Sequence, residues 1–117
     1  MKKLFISQPM TGLSHEQILL ERNRAYEKAK EVLKDDVVVV LDSYFYDYNP
    51  TNNRIPLQYL AKSLTVLANA DIVYFAEGWE GSKGCRIEHQ CAIEYCIPFI
   101  YGGKANGECK YQSGKGI

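Results

Sequence analysis

The sequence predicts an α/β protein with a doubly wound parallel sheet of four to five strands and helices on both faces. Short apolar segments alternate with longer segments whose apolar residues recur at helical spacing, in the order strand, helix, strand, helix, strand, helix, strand. The segment 37–41 is apolar at every position, which is typical of a central parallel strand covered on both faces. In such folds the ligand site lies at the carboxyl ends of the strands.

The composition predicts one domain over 1–117 and a small-molecule partner. Fourteen basic and fourteen acidic side chains cancel, which argues against a nucleic-acid polymer or a membrane as a partner. No apolar run has the length of a signal-peptide core or a membrane span, so we expect a cytoplasmic protein whose four cysteines are reduced. The tail, 102–117, is rich in glycine and lysine without periodicity, and we expect it to be loosely ordered.

The first half of the chain supplies two strands and one long helix. The first strand, 3–7, ends in a turn-like segment, and residues 14–17 (SHEQ) form a capping box with Ser14 as the N-cap. A helix is therefore expected from there to about Lys34. The side of this helix that should face the core is marked by residues that recur every three to four positions: Ile18, Arg22, Ala25, Ala29 and Val32. The second strand, 37–41, follows.

The second half repeats this alternation after an aromatic, turn-rich segment that we interpret as an ordered surface loop with a functional role. A helix is predicted from Pro56, a third strand over 71–76, a third helix after the loop EGWEGSKG, and a fourth strand over 98–101. Together these elements predict a Rossmann-like or flavodoxin-like domain.

Glu88 lies in an unusual place on the third helix. At 100° per residue it falls near the middle of an arc formed by Cys85, Cys91, Ala92, Tyr95 and Cys96. Glu94, on the opposite side, is where a solvated charge belongs. A carboxylate that faces the core costs several kcal/mol unless it is hydrogen-bonded or opens to a cavity. Glu88 is therefore either a functional carboxylate beside an anion site or a structural cap of nearby backbone.

Two loops at strand ends are candidates for ligand binding. The loop before the third helix, with Ser82 and Gly84, has the position in which α/β folds hold anions on backbone N–H groups, although it matches neither a P-loop nor GxGxxG. The loop after the first strand places Ser7, Thr11 and Gly12 similarly; a plain strand-to-helix turn explains it equally well. Trp79, in the loop before the third helix, could stack on a planar base, as could the tyrosines of the aromatic segment after the second strand, although aromatic residues more often pack a loop down; these tyrosines are Tyr44, Tyr46 and Tyr48.

The sequence predicts no metal site and no cofactor. Cys85 and His89 are four residues apart, a spacing that could bind a metal or pair a thiol with a base. The chain has only two histidines and no CxxC motif, so this alternative is weak.

The segments ISQPMTGL and ADIVYFAEGWEGSKGCRIEHQCAIEYCIPFIY resemble the nucleoside 2-deoxyribosyltransferase-like superfamily, over about residues 3–101. The resemblance is specific in the pattern GWxxSxGxxxE, from Gly78 to Glu88. It implies that Glu88 attacks the anomeric carbon of a 2-deoxyribosyl group and that Ser82 contacts a 5′-phosphate, as in the branch that hydrolyses deoxynucleoside 5′-monophosphates. Ser7 and Gly12 would lie in the first-strand loop that lines the same pocket, and Tyr44, Trp79 and Gly84 are the further candidates for substrate binding. It also implies a homodimer or larger homo-oligomer with a shared active site.

One position departs from the superfamily pattern. The aspartate that helps to protonate the departing base is expected eight residues before Asp71, where this chain has Ser63. Serine is not a comparable acid. Two hypotheses follow: an N-glycosidase or deoxyribosyltransferase that recruits Asp42 or Asp47 as the acid or works weakly, and an inactive protein that binds a nucleotide to sense or sequester it.

Overall fold

The computed structural model describes residues 1–34, 36–45, 54–102 and the backbone of 111–112. The elements in these ranges alternate as the sequence predicts. They are β1 (Lys2–Ser7), α1 (His15–Leu33), β2 (Val38–Val40), α2 (Ile55–Leu67), β3 (Ile72–Phe75), α3 (Lys83–Glu94), β4 (Phe99–Tyr101) and β5 (Tyr111–Gln112), with a 3₁₀ turn at Trp79–Gly81 before α3. The capping box at the start of α1 is confirmed, with Ser14 Oγ accepting from the N–H of Gln17.

The five strands form one sheet in the order β2-β1-β3-β4-β5. Strands β1 to β4 pair in parallel, whereas β5 pairs antiparallel with β4. This is the flavodoxin-like order, in which the direction of winding reverses between β1 and β3. The predicted fold class is confirmed, and the reversal places a crevice beside the carboxyl end of β1.

The prediction that 37–41 forms a central strand covered on both faces is wrong. In the described part of the sheet β2 lies at the edge and spans only Val38–Val40. Val38 is buried, but Val37 is 68% exposed and Val39 and Val40 are more than a third exposed. A run of valines reports β propensity and local hydrophobicity, and neither property distinguishes an edge from a centre.

The two faces of the sheet carry separate cores. Leu4 and Ile6 of β1 pack with Ala25 and Ala29 of α1 on one face. Phe5 of β1 packs on the other face, with residues of α2 and α3 such as Leu67 and Ala92. Alternate β1 residues therefore face different helices, as the two-residue period of a strand requires.

The end of β4 leads into a tightly packed glycine. Gly102 is buried, and its N–H donates to Phe75 O at 3.0 Å. Of the remaining tail only β5 is described, and residues 103–110 and 113–117 lie outside the described ranges. None of the described helices has the length and hydrophobicity needed to cross a membrane.

Candidate active site

Glu88 is buried at the crevice beside β1 and is held by two serines. Its side chain is 6% exposed. Ser7 Oγ, at the end of β1, donates to Glu88 Oε1 at 2.6 Å, and Ser63 Oγ, on α2, donates to Oε2 at 2.6 Å. Each carboxylate oxygen thus accepts a hydrogen bond from a serine hydroxyl, and the two serines are on different elements. This arrangement fixes the orientation of the carboxylate.

The helix geometry predicted for Glu88 is confirmed. On α3, Cys85, Glu88 and Ala92 are the buried residues, and Glu94 is exposed and accepts a hydrogen bond from Gln90. Tyr95 and Cys96 were predicted on the buried arc but are exposed, because α3 ends at Glu94 and Cys96 has a φ of 59°. The predicted buried arc therefore holds only for residues within α3 and fails for the two residues that follow its end.

Burial opposes ionisation of the buried carboxyl and thiol groups. Burial raises the pKa of the Glu88 carboxyl above its ordinary value, and the hydroxyls of Ser63 and Ser7 offset part of this effect by stabilising the charged form. Burial also raises the pKa of the Cys85 thiol, despite hydrogen bonds with Ser7 and Ser82. Cys85 is therefore a protonated neighbour of the carboxylate at neutral pH.

The carboxylate opens onto a cavity of about 540 Å³. The cavity lies between the end of β1, the segment after β2, the first turns of α2 and the start of α3. Its polar lining residues are Gln8, Thr11, Ser43, Ser63, Ser82 and Glu88, and its aromatic ones are Tyr44, Phe45 and Tyr59. A larger groove of about 700 Å³ lies on the charged surface of α1, away from these groups. The first cavity has the mixed apolar and polar lining of a small-molecule site.

Several residues singled out from the sequence lie at this cavity. Tyr44, Ser82, Gly84 and Glu88 line it. Ser7 is almost fully buried and reaches it through its bond to Glu88. Tyr44 is anchored by a hydrogen bond of 2.9 Å between its hydroxyl and His15 Nδ1.

Ser82 is the N-cap of α3. Its Oγ accepts from the N–H of Cys85 at 3.4 Å, so the serine that faces the cavity also begins the helix that carries Glu88. The nucleophile candidate and the anion-site candidate are therefore fixed by one helix.

Other predicted residues lie elsewhere. Gly12 is exposed in the turn after β1 with a φ of 81°, and Asp42 is exposed; neither lines the cavity. Trp79 stacks on His89, with ring centroids 4.2 Å apart, and lies parallel to the ring of Tyr101. Asp47, Tyr46 and Tyr48 lie outside the described residues.

The alternative metal or thiol role of Cys85 and His89 gains no support. His89 Nε2 lies 2.7 Å from the hydroxyl of Tyr101, and burial lowers the pKa of the imidazole. Among the residues that the structure describes, no three histidine, cysteine or acidic side chains are grouped so as to hold a metal ion.

Two features of the site were missed from the sequence. The first is the direct contact of Ser63 with Glu88, which depends on how α2 packs against α3. The second is Arg22, whose guanidinium donates to Gln8, to Leu41 O and to Ser43. The sequence did contain a signal for it, since Arg22 is a charged residue at a core-facing position of α1, as Glu88 is on α3, although Arg22 is only half-buried.

Comparison with known proteins identifies a family. No curated protein and no solved structure matches the chain. One family model, described as a domain of unknown function, matches residues 2–101, which include every described residue of the site. The family has no assigned activity, and the nucleoside 2-deoxyribosyltransferase-like resemblance stays a prediction. The chain belongs to this family, DUF4406.

Proposed function

We propose that the protein cleaves the N-glycosidic bond of a 2′-deoxynucleoside or its 5′-monophosphate, by hydrolysis or transfer, with Glu88 as the nucleophile. The observation that carries the proposal is the carboxylate itself: a buried glutamate, oriented by Ser7 and Ser63, on the wall of a cavity. Buried carboxylates with shifted pKa values in clefts are characteristic of functional sites.

The proposed reaction uses the carboxylate in two steps. A Glu88 oxygen attacks C1′ of the sugar as the C1′–N bond breaks, and the base leaves with the bonding electron pair and takes a proton from solvent. Water, or a second base, then attacks C1′; the C1′–O bond to Glu88 breaks with its electron pair on the carboxylate, and the attacking group gives up one proton to solvent. Ser7 and Ser63 donate to the ionised form of Glu88, which keeps part of the population ready to attack despite burial.

The start of α3 supports binding of a 5′-phosphate. Ser82 lines the cavity, and although the N–H of Cys85 is bonded to Ser82 Oγ, the N–H groups of Lys83 and Gly84 precede the first bonds within the helix. No described lysine or arginine lines the cavity, so a phosphate would depend on Ser82 and these N–H groups.

A panel of 2′-deoxynucleoside 5′-monophosphates and the corresponding nucleosides tests the reaction. Free base, separated by chromatography, is expected to accumulate with the wild-type protein and not with Glu88→Ala. Base release that persists in Glu88→Ala would contradict the role of Glu88. No release from any member of the panel would contradict the proposed reaction.

A second candidate function is supported by Ser63. It occupies the position where the superfamily pattern has an acid, and its hydroxyl is already committed to Glu88 Oε2. A protein that binds a deoxynucleotide without cleaving it would retain the cavity and lack the acid. Calorimetry would support this function if it detected binding of one of the deoxynucleosides or deoxynucleotides and no base were released over hours.

We also propose a homodimer in which α2 contacts a second copy. Lys62 is the only charged residue in α2 and Leu67 its only fully buried one. Ile55, which lines the cavity, and Leu57 are about half exposed. Helices that are apolar on most sides are normally buried in an assembly. A dimeric mass at micromolar concentration, shifted toward the monomer by Leu57→Lys, is the expected result, and a monomeric wild-type protein would contradict it.

A further inference from the structure

Arg22 is a half-buried cation on the core-facing side of α1. Burial lowers the pKa of its guanidinium, and the negative charge of Asp42 partly offsets this effect. Within the described residues it forms no ion pair, and its hydrogen bonds go to neutral groups: Gln8 Oε1 at 3.1 Å, Leu41 O at 3.1 Å and Ser43 Oγ at 3.2 Å. Holding a charge in this way is costly, so a role in the site is a reasonable explanation for it.

The guanidinium fixes the orientation of the Gln8 amide. A guanidinium only donates hydrogen bonds, so the atom of Gln8 that faces Arg22 is the carbonyl oxygen. The amide nitrogen, Nε2, donates one hydrogen to Ile18 O at 3.4 Å. Gln8 therefore retains one N–H that no described protein group uses.

Ser43 is oriented by the same cation. Its Oγ accepts from Arg22 and donates its own hydrogen to Ile6 O at 3.2 Å. A hydroxyl has two lone pairs and one hydrogen, so Ser43 retains one lone pair. Arg22 therefore holds two neighbouring groups in fixed orientations. Gln8 offers a hydrogen-bond donor, and Ser43 offers a hydrogen-bond acceptor.

This donor and acceptor belong to the cavity that contains Glu88. Gln8 and Ser43 both line the cavity, whereas Arg22 lies behind them. Tyr44 and Phe45 extend the same wall, and Tyr59 supplies a further ring. A planar ligand that lies among these rings would present its polar edge to Gln8 and Ser43 while another part of it reaches Glu88.

We propose that Gln8 and Ser43, held by Arg22, read the base of the ligand and select one that carries a carbonyl oxygen next to a ring N–H, as in hypoxanthine and guanine. The Gln8 N–H donates to the carbonyl, and Ser43 Oγ accepts the ring N–H. The positive charge of Arg22 behind the wall favours the electron-rich carbonyl over an amino group. This inference rests on the proposed function, because it takes the ligand to be a deoxynucleotide.

The matched ligands dIMP and dAMP test the inference, since they differ only at positions 1 and 6 of the purine. Affinities are measured by calorimetry with Glu88→Gln, so that no ligand is consumed. We expect dIMP to bind at least about tenfold more tightly than dAMP, the discrimination typical of a polar group matched or left unpaired. The sugar 2-deoxyribose 5-phosphate, which has no base, reports on the rest of the site.

Gln8→Glu in the same background is the decisive variant. The carboxylate keeps an oxygen for Arg22 and gives the cation an ionic partner, so folding should be retained, but it removes both amide N–H groups, the one that Ile18 O accepts and the unused one. The preference for dIMP over dAMP is expected to disappear or reverse, with little change for the sugar phosphate. Gln17→Glu makes the same change on the exposed first turn of α1 and should leave the preference unaltered.

The outcomes separate this inference from the proposed function. Equal affinities for dIMP and dAMP that Gln8→Glu does not alter would overturn the base-reading role, even if the wild-type protein releases base from deoxynucleotides. A preference for dIMP that Gln8→Glu abolishes supports the role, even if no base is released and the reaction is wrong. Absence of binding by every nucleotide would overturn both.

Discussion

Replacing Glu88 by glutamine is expected to abolish base release and at the same time to stabilise the protein at neutral pH. Glutamine has the same shape and can still exchange hydrogen bonds with Ser7 and Ser63, but it is a far poorer nucleophile. Loss of a catalytic nucleophile typically lowers the rate by a thousandfold or more, on the order of the effects seen in proteases. The free energy of unfolding should rise by about 1–2 kcal/mol, since removing a buried charge relieves a cost that function imposes.

The gain in stability should depend on pH. Because the pKa of Glu88 in the folded protein lies above its ordinary value of 4.5, the folded state holds this proton more tightly than the unfolded state. Proton binding by Glu88 therefore adds to the free energy of unfolding in full below about pH 4.5. This stabilisation is lost as the pH rises through the pKa of Glu88 in the folded state. Glu88→Gln lacks this titration, so the two proteins should have similar stability in acid and diverge toward neutral pH.

Urea unfolding from pH 4 to pH 8 measures this difference. Trp79 is the only tryptophan and stacks on His89, so its fluorescence should report the transition. Glu94→Gln is the matched control, since it makes the same change on the exposed side of α3 and should alter stability by less than about 0.5 kcal/mol at any pH. A Glu88→Gln protein less stable than wild type at neutral pH would show that the carboxylate is a structural anchor instead.

Gly102→Ala is expected to destabilise the fold by about 3 kcal/mol, near the upper end of overpacking effects. A Cβ at this position would lie 1.8 Å from the hydroxyl oxygen of Tyr74 and 2.1 Å from its Cζ. The ring cannot easily withdraw, because Tyr74 is 2% exposed and its hydroxyl donates to Glu21 at 2.9 Å. The backbone is held as well, by the bond from Gly102 N–H to Phe75 O.

Thermal unfolding tests this effect, and the midpoint should fall by about 10 °C or more for a domain of this size. Gly81→Ala provides the comparison, since a Cβ there meets no atom within 4 Å and the backbone does not require glycine. Equal midpoints for the two variants would mean that the Tyr74 ring has room to move and that the contact with Gly102 does not limit stability.

The spacing of apolar residues along the chain predicted the order of helices and strands and the buried position of Glu88. Both could be predicted because they depend on residues that are close together in the sequence. The helical period separated Glu88 from Glu94, and the structure has them buried and exposed respectively. The edge position of β2 could not be obtained in this way. Strand order depends on which strands pair, and the apolar run at 37–41 is compatible with several partners.

Contacts between distant elements account for what the sequence did not reveal. Ser63 was noticed as a missing acid, but its hydrogen bond to Glu88 joins residues 25 positions apart on two helices. The groups that bond Arg22, which is on α1, come from the end of β1 and the segment after β2. A charged residue within a buried stripe was the available signal, and it was used for Glu88 and overlooked for Arg22.

The end of β1 links the buried Glu88 and the half-buried Arg22 through adjacent residues. Ser7 faces α3 and contacts the anion, Glu88, whereas Gln8 faces α1 and contacts the cation, Arg22. Since successive side chains of an extended chain point to opposite faces, deleting one residue in β1 would bring Gln8 beside Glu88 and leave Pro9 beside Arg22. Inserting one residue would instead bring Ser7 beside Arg22 and an apolar side chain beside Glu88, so the two halves of the cavity depend on a single register of β1.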